Sequence, residues 1–232
     1  MIIGKGLLAS SFEPHYGHRP EIIVFAAGVS NSTQTDPSEF LREKQLLQRT
    51  LEQFSDVLGF VYFGSCGVAS GQASPYMSHK REMERLVLDH RAGLVLRLPQ
   101  VVSPSSNPTT LTNYLAKQVR DGELITLWKF AQRNLIDIDD IVPIAKHIID
   151  NRPDFPSCVA IASSNTLTMP ELVGHLERVL GKRARMELVD RGEPMPIDNQ
   201  HSLQIAKHLG LDLEDGYAQR VLKKYYGTTP NA

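Results

Sequence analysis

The sequence has few of the residues that mark several large protein classes. Its 232 residues include only two cysteines, Cys66 and Cys158, and one tryptophan. Two cysteines are too few for a disulfide scaffold and fit a reducing compartment, so we expect a cytoplasmic protein. A formal net charge of −1 gives no sign of a nucleic-acid or membrane partner.

Long apolar runs, internal repeats and low-complexity segments are also missing. No apolar stretch reaches the length of a membrane span, and the N-terminal residues lack a signal-peptide pattern. We predict no metal site. What remains is an ordinary soluble composition, with 41% hydrophobic and 22% charged residues, on a chain long enough to bury a full core.

The most informative stretch is residues 74–87, SPYMSHKREMERLV, which predicts a helix with Ser74 as its N-cap. Tyr76 and Lys80 are four residues apart and therefore share one helix face. An ammonium beside a phenol near a helix N-terminus favours the phenolate, so we expect the pKa of Tyr76 to be lowered. Such a tyrosine can act as a general acid or base, although a solvated surface pair is an alternative.

A serine precedes this helix at the end of a predicted strand. Residues 58–68, LGFVYFGSCGV, read as a buried strand that ends in small residues. Ser65 then lies near the carboxyl end of the strand, where open α/β sheets bind their ligands. Its hydroxyl is placed to bond a substrate oxygen, and the alternative is an ordinary turn serine.

Strand, Ser65 and then Tyr76-x-x-x-Lys80 at the start of a helix resemble the extended short-chain dehydrogenase/reductase family, specifically its nucleotide-sugar epimerase, dehydratase and ketoreductase branch. The resemblance implies an α/β fold, a Rossmann-like parallel sheet with a small C-terminal α/β substrate lobe. It implies NAD or NADP as cofactor and a nucleotide-sugar as substrate. Ser65, Tyr76 and Lys80 would be catalytic, and Tyr76 and Lys80 would also touch the cofactor.

Two further segments are similar to cofactor-binding turns of that family. Residues 1–12 run from a short strand into Gly4-x-Gly6-x-x-Ala9, and glycines there allow a pyrophosphate to approach the backbone. Residues 22–32, IIVFAAGVSNS, form a second buried strand followed by small residues. The cofactor contacts implied by the resemblance are Gly4, Gly6, Leu7, Ala26, Ala27, Gly28 and Pro99. Ordinary turns are the alternative at both places.

The sheet is expected to be shortened. Only residues 13–21 separate the first helix from the second strand, whereas the family has about two more strands there. Those strands normally carry the residue that reads the adenosine ribose. His15, His18 and Arg19 are the nearby basic residues, so we expect loose discrimination between NAD and NADP unless His18 or Arg19 captures a phosphate.

Later residues supply the substrate contacts that the resemblance implies. Arg133 matches an arginine that pairs with a substrate diphosphate, with a surface arginine as the alternative. Trp128 lines the substrate pocket or belongs to the core, and Asp139 is expected to cap a helix over residues 140–151. The full set of implied substrate contacts is Ser30, Asn31, Asn107, Trp128 and Arg133.

We therefore expect a single unit with a cofactor-binding core at about residues 1–102 and 134–162. A substrate lobe would span about residues 103–133 and 163–232. The implied function is an NAD(P)-dependent epimerase or ketoreductase for cell-surface polysaccharide assembly. Members often dimerise through helices matching residues 36–54 and 75–90, which makes a homodimer an open expectation. The alternative is a non-catalytic module that senses dinucleotides or binds a partner.

Overall fold

The computed structural model describes residues 1–70, 74–105, 107–108 and 110–227. The chain forms two compact units. The first contains Met1–Leu98 and Ile141–Ile161, and the second contains Pro99–Asp140 and the described residues from Ala162 onward. Within the described residues, no helix combines the length and apolarity that a membrane span requires.

The secondary structure alternates between strands and helices. The strands are β1 (Ile2–Ile3), β2 (Ile22–Phe25), β3 (Gly59–Ser65), β4 (Gly93–Leu98), β5 (Gln100–Val102), β6 (Leu124–Trp128), β7 (Gln132–Asp137), β8 (Cys158–Ala160), β9 (Thr166–Thr168) and β10 (Arg185–Val189). The helices are α1 (Leu7–Tyr16), α2 (Pro37–Gln53), α3 (Pro75–Leu88), α4 (Leu111–Asp121), α5 (Ile138–Asp150), α6 (Met169–Leu180), α7 (Gln200–His208) and α8 (Tyr217–Tyr226).

The first unit is built on a parallel sheet in the order β1-β2-β3-β4-β8. A doubly wound sheet normally reverses direction beside its first strand. Here each strand from β1 to β4 adds on the same side, so β1 lies at an edge of the described sheet. Only α1 and a turn separate β1 from β2. The predicted α/β class with a Rossmann-like parallel sheet is confirmed. Because β1 is an edge strand, the described sheet lacks the strands that a doubly wound sheet carries beyond its first strand.

Capped helices pack on this sheet. The Asp36 carboxylate accepts from the Ser38 N–H at 2.9 Å at the start of α2, and the Ser74 hydroxyl accepts from the Met77 N–H at 3.1 Å at the start of α3. The helices bury apolar side chains against β2, β3 and β4. Burying each of these side chains stabilises the fold by roughly 1.5–3 kcal/mol. The central buried cluster comprises Ile23, Phe25, Leu47, Phe60, Tyr62, Met83, Val87 and Val95.

The second unit combines small sheets with helices. Strand β7 pairs with β5 in parallel and with β9 antiparallel, while β6 and β10 form a separate parallel pair. Helix α6 begins with a capping box, in which the Glu171 carboxylate accepts from the Thr168 N–H at 2.7 Å.

The prediction that Asp139 caps a helix is wrong. Helix α5 begins at Ile138, two residues earlier than expected, so Asp139 lies inside its first turn. The Asp137 carboxylate accepts from the Asp139 N–H at 3.0 Å and takes the capping role. The Asp139 carboxylate instead receives the Lys224 ammonium at 2.7 Å.

Candidate active site

Helix α3 buries the predicted Tyr76 and Lys80 on one face. Tyr76 is 7% exposed and Lys80 is 3% exposed. The Lys80 ammonium lies 5.8 Å from the centroid of the Tyr76 ring and 5.0 Å from that of the Tyr62 ring, a residue of β3. A solvated surface pair, the alternative from sequence, is therefore excluded for these two side chains.

The Lys80 ammonium is held by two oxygens. It donates to the Tyr62 hydroxyl at 2.8 Å and to the Glu43 carboxylate at 3.2 Å. Tyr62 itself donates to the same Glu43 oxygen at 2.7 Å. Burial lowers the pKa of Lys80, and the nearby Glu43 carboxylate opposes that shift.

Glu43, on α2, is the residue that sequence reasoning missed. Its side chain is fully buried, and its second oxygen accepts from the Val29 N–H at 2.6 Å and from His79 at 2.9 Å. Burial alone would raise its pKa, but the His79 hydrogen bond, the Lys80 charge and the Val29 N–H lower the pKa of Glu43 to about 2. A signal existed, because Glu43 precedes the core residue Leu47 by one turn on the buried face of α2.

The expected lowering of the Tyr76 pKa is wrong. Burial raises the pKa of Tyr76, and the Glu43 and Glu84 carboxylates raise it further. The charge of Lys80 is balanced by Glu43, which leaves burial as the dominant effect on the phenol. Tyr76 is therefore a neutral phenol across the physiological pH range.

Ser65 ends β3, as the strand pattern predicted, and its hydroxyl accepts from the Gly67 N–H at 3.2 Å. A short 3₁₀ turn, Cys66–Ser70, continues from it. The start of α3 reaches this turn, because a Cβ placed on Gly67 would lie 2.4 Å from the Met77 side chain. Residues 71–73 lie outside the described residues.

The two small-residue turns meet at the carboxyl edge of the sheet. Gly4 has φ +137°, and a Cβ there would lie 2.5 Å from the Ala26 carbonyl oxygen, so only glycine fits this approach. Gly6 precedes α1, whose N-terminus carries no side-chain cap, and a Cβ on Gly6 would meet nothing within 4 Å. Leu7 opens α1 and is 42% exposed. Open space at an uncapped helix N-terminus fits a pyrophosphate.

The second turn leads directly to Lys80. A Cβ on Gly28 would lie 2.8 Å from the Lys80 ammonium nitrogen and 2.9 Å from a Glu43 oxygen. Ala26 and Ala27 precede it and are half-buried. The Lys80 ammonium therefore packs directly against the backbone of this turn.

Arg19, one of the residues from which the sequence suggested a phosphate contact, lies before β2 at the amino edge of the parallel sheet. Arg19 donates to Glu21 at 2.9 Å and to Asp150 at 3.0 Å. These two carboxylates balance the charge of Arg19. His18 is exposed.

The remaining predicted cofactor and substrate residues belong to both units of the chain. Ser30 and Asn31 follow the Gly28 turn and are exposed, and the Asn31 side chain accepts from the Thr33 N–H. Pro99, Asn107, Trp128 and Arg133 belong to the second unit.

The predicted site residues of the second unit differ in their hydrogen bonds and in their exposure to solvent. The Asn107 carbonyl accepts from the Asn113 amide at 2.7 Å. Trp128 is 47% exposed, so the alternative that it belongs to the core is wrong. Arg133 donates to the Gln132 carbonyl at 2.6 Å, and burial lowers its pKa. Among the described residues, no group of three or more His, Cys, Asp or Glu side chains is arranged to hold a metal ion.

Solved structures with this fold include nucleotide-sugar enzymes. The chain is similar to dTDP-glucose 4,6-dehydratase from Bacillus anthracis in complex with NAD (16% identity, TM-score 0.69, 96% of this chain and 78% of that chain). It is also similar to UDP-glucuronic acid 4-epimerase from Bacillus cereus with UDP-glucuronic acid and NAD (17%, 0.71, 96% and 78%). A third similar structure is GDP-mannoheptose C4 reductase from Campylobacter jejuni with NADP bound (13%, 0.69, 95% and 86%).

These identities establish a shared fold. No sequence among curated proteins matches the chain. A family model does, over residues 15–157, and its description is NAD dependent epimerase/dehydratase family. The matched range is more than half of the chain and includes Ser65, Tyr76 and Lys80, the residues on which the resemblance to extended short-chain dehydrogenases rested. That resemblance is confirmed, and the chain belongs to the NAD dependent epimerase/dehydratase family.

Proposed function

We propose that this protein is an NAD(P)-dependent enzyme that reduces or epimerises a nucleotide-activated sugar, with Tyr76 as its proton-transferring residue. The observation that carries the proposal is the contact between the Gly28 turn and the Lys80 ammonium, beside the buried Tyr76 ring. This arrangement places the Gly28 turn, the Lys80 ammonium and the Tyr76 ring next to one another in the first unit.

Each residue has a distinct role in the proposal. Gly4, Gly6 and Leu7 present backbone N–H groups to the pyrophosphate, while Ala26, Ala27, Gly28 and Pro99 surround the nicotinamide half. Lys80 holds the nicotinamide ribose, and Ser65 orients the sugar oxygen. The cofactor supplies hydride transfer, and the protein supplies alignment and the proton.

The protonated state of Tyr76 fits the reductive part of the proposal. A phenol that keeps its proton at neutral pH can donate it to a sugar carbonyl oxygen as the carbon receives hydride. Epimerisation would first require Tyr76 to accept a proton from a hydroxyl. Burial raises the pKa of Tyr76, which also makes the phenol a weaker proton donor, so this pKa does not choose between reduction and epimerisation.

The cofactor-binding core would span about residues 1–102 and 134–162, and the substrate lobe about residues 103–133 and 163–232. Arg133, Asn107 and Trp128 would contact the nucleotide-sugar there, and Ser30 and Asn31 would reach it from the Gly28 turn. We place the reaction in the cytoplasm, in the assembly of a cell-surface polysaccharide such as O-antigen or capsule. Homodimerisation through α2 and α3 is part of the same proposal.

Water elimination of the 4,6-dehydratase type is not part of the proposal. Family members of that type place Asp-Glu after the hydroxyl residue, whereas Cys66 and Gly67 follow Ser65 here. Cys66 is 2% exposed, and burial raises the pKa of its thiol to about 12. A buried neutral thiol cannot act as the acid or base for that step.

A second candidate is a non-catalytic protein that senses a dinucleotide or binds a partner. The shortened sheet favours this second candidate, because the strands that normally support the adenosine are absent between α1 and β2. The complete set of Ser65, Tyr76 and Lys80 favours the enzyme.

A direct assay separates the two candidates. The purified protein is incubated with NADH or NADPH and a panel of 4-keto nucleotide sugars, and oxidation of the reduced cofactor is followed. The enzyme proposal predicts oxidation coupled to formation of the 4-hydroxy sugar. Saturable NADH or NADPH binding without turnover of any panel member supports the sensing protein. A 4-keto-6-deoxy product from an unmodified nucleotide-hexose would contradict the exclusion of dehydration.

A further inference from the structure

Glu43 organises four different parts of the first unit through one carboxylate. From α2 it accepts hydrogen bonds from the Val29 N–H after β2, from Tyr62 on β3, and from His79 and Lys80 on α3. An ionised carboxylate without partners is very costly to bury. Here all four of these donors bond to the one carboxylate, so Glu43 stays ionised although it is buried.

That negative charge lies within hydrogen-bond distance of the Lys80 ammonium and of the His79 ring. His79 offers a ring N–H to the carboxylate, which fixes Nε2 as the protonated nitrogen, because a carboxylate only accepts. His79 also stacks on Phe40, with ring centroids 4.7 Å apart. Glu43 is therefore fixed on one side by His79 and Val29, and it offers its other oxygen to Lys80 and Tyr62.

We propose that Glu43 is a positioning residue that keeps Lys80 charged and aimed at the Gly28 turn. The inference rests on the proposed function, in which Lys80 holds the nicotinamide ribose. It adds that the ammonium stays protonated in a buried pocket because a carboxylate from α2 compensates it. Tyr62 completes the arrangement by accepting from Lys80 while donating to Glu43.

The other charged and titratable groups near Lys80 leave this assignment intact. Tyr76 and Glu84 share α3 with it, Tyr62 faces it from β3, and Glu43 faces it from α2. Glu84 is engaged by Arg97 of β4, which donates to its carboxylate at 2.7 Å. The carboxylate in direct contact with Lys80 is that of Glu43.

Replacing Glu43 with glutamine tests the charge with little change in shape. The amide oxygen can still accept from Val29 and His79. The NH₂ group would then face Lys80 and the Tyr62 hydroxyl, where it can donate to a neutral amine but repels an ammonium. Glu43→Gln therefore favours the uncharged form of Lys80.

The direct measurement is the titration of Lys80 in protein carrying ¹³C-labelled lysine, followed by NMR of the ε-carbon and assigned with Lys80→Met. We expect the titration midpoint of Lys80 to fall by about one to three pH units in Glu43→Gln, the usual effect of removing an adjacent opposite charge. The matched control is Glu82→Gln. Glu82 pairs with Lys44 at 2.6 Å between the same two helices, but both side chains are more than a third exposed.

An unchanged Lys80 midpoint in Glu43→Gln, equal to that in Glu82→Gln, would overturn the proposal. This measurement needs no substrate, so it is independent of whether the proposed function is right. If the wild-type protein reduces a nucleotide-sugar, the basic limb of its kcat/KM profile should move to lower pH in Glu43→Gln. A uniform loss of rate with the limb in place would indicate a structural role and would also overturn the proposal.

A second pair of variants covers the case in which Glu43→Gln does not fold. Removing one partner of a buried ion pair is strongly destabilising, whereas replacing both with apolar side chains of similar volume is often tolerated. We expect the double variant Glu43→Leu with Lys80→Met to unfold at a higher urea concentration than Glu43→Leu alone. A double variant no more stable than that single variant would show that the two charges are not coupled, contrary to the proposal.

Discussion

Two polar clusters of the first unit differ in how far their charged side chains are exposed to solvent. The first, the buried cluster, is Glu43, Tyr62, His79 and Lys80, all less than 7% exposed. The second, the surface cluster, is Arg19, Glu21 and Asp150, whose ion-paired side chains are 25–42% exposed. Buried charges interact strongly and are fixed in position, whereas exposed pairs contribute roughly 0–1 kcal/mol and are screened by salt.

The two clusters lie at opposite edges of the parallel sheet. The buried cluster lies at the Gly28 turn, where a proton and a hydride would be exchanged and where geometry decides the rate. The surface cluster lies beside the amino end of β2, at the edge of the parallel sheet opposite the Gly28 turn. The protein therefore has a buried polar network at the carboxyl edge of the sheet and solvent-exposed ion pairs at its amino edge.

The largest effect that would test this contrast comes from Tyr76→Phe, which removes the proton donor but keeps the buried ring. We expect turnover of a 4-keto nucleotide sugar to fall by about 10²–10⁴-fold, the usual contribution of a general acid. Binding of the nucleotide-sugar, measured by calorimetry, should barely change. Turnover close to that of the wild type would contradict the role of Tyr76.

Acid should destabilise the protein mainly through the buried cluster. The pKa of Glu43 is lowered to about 2 in the folded protein from an ordinary value of 4.5. The unfolded state therefore binds more protons between these values, and the stabilisation present above pH 4.5 is lost as the pH falls toward 2. Urea unfolding across this range measures the loss.

The matched variants for acid unfolding are Glu43→Gln and Glu21→Gln. Glu43→Gln should flatten the decline in the urea midpoint between pH 4.5 and 2, because the titrating group is gone. Glu21→Gln should leave the decline nearly unchanged, since the Glu21 carboxylate is solvent-accessible. Equal effects of the two variants would remove the contrast between the clusters.

Gly28→Ala should disturb the buried cluster from the backbone side. The added Cβ would lie 2.8 Å from the Lys80 nitrogen and 2.9 Å from a Glu43 oxygen, so both side chains must move. Overpacking of this kind costs about 1–3 kcal/mol of the free energy of unfolding. A urea midpoint equal to that of the wild type would show that the cluster is loosely packed.

Gly6→Ala should separate folding from cofactor binding. A Cβ at Gly6 meets no protein atom within 4 Å, so the urea midpoint should not change. The same methyl group would stand where a pyrophosphate approaches the N-terminus of α1, and we expect NADH to bind about tenfold more weakly, a loss of roughly 1.4 kcal/mol. Unchanged NADH affinity, measured by calorimetry, would place the pyrophosphate elsewhere.

The smallest effect is expected at Arg19. Its guanidinium is engaged by Glu21 and Asp150, so Arg19→Ala should alter the affinities for NADH and NADPH by less than about threefold, below 1 kcal/mol. We also expect the wild type to bind the two forms with little preference, because no strand separates α1 from β2 to carry a selector. A selective loss of NADPH affinity in Arg19→Ala would show that Arg19 reads the ribose phosphate.

Local patterns in the sequence were sufficient for the architecture. The β-branched runs at residues 22–25 and 59–65 predicted buried strands, and Asp36-Pro37 and Ser74-Pro75 predicted helix starts, because capping and strand burial depend on neighbouring residues. The shortened sheet was also predictable. Nine residues between the first helix and the second strand leave no room for another strand and its helix.

The site was only partly predictable for a different reason. Ser65, Tyr76 and Lys80 were recognised from their order and spacing, but Glu43 was not, because its partners lie 14 to 37 residues away along the chain. The sequence also predicted the wrong direction for the Tyr76 pKa. It showed the adjacent Lys80 but neither the burial of the phenol nor the carboxylate that balances the ammonium.

By itself, the sequence therefore determined the family, the order of strands and helices in the first unit, and the side chains that carry the proposed chemistry. These depend on periodicity, capping and short motifs, which are local. The tertiary structure alone decided which charges meet: Glu43 with Lys80, Arg19 with Glu21 and Asp150, and Lys224 with Asp139. Burial and charge pairing set the pKa of each group, and both arise from contacts between segments that are distant in sequence.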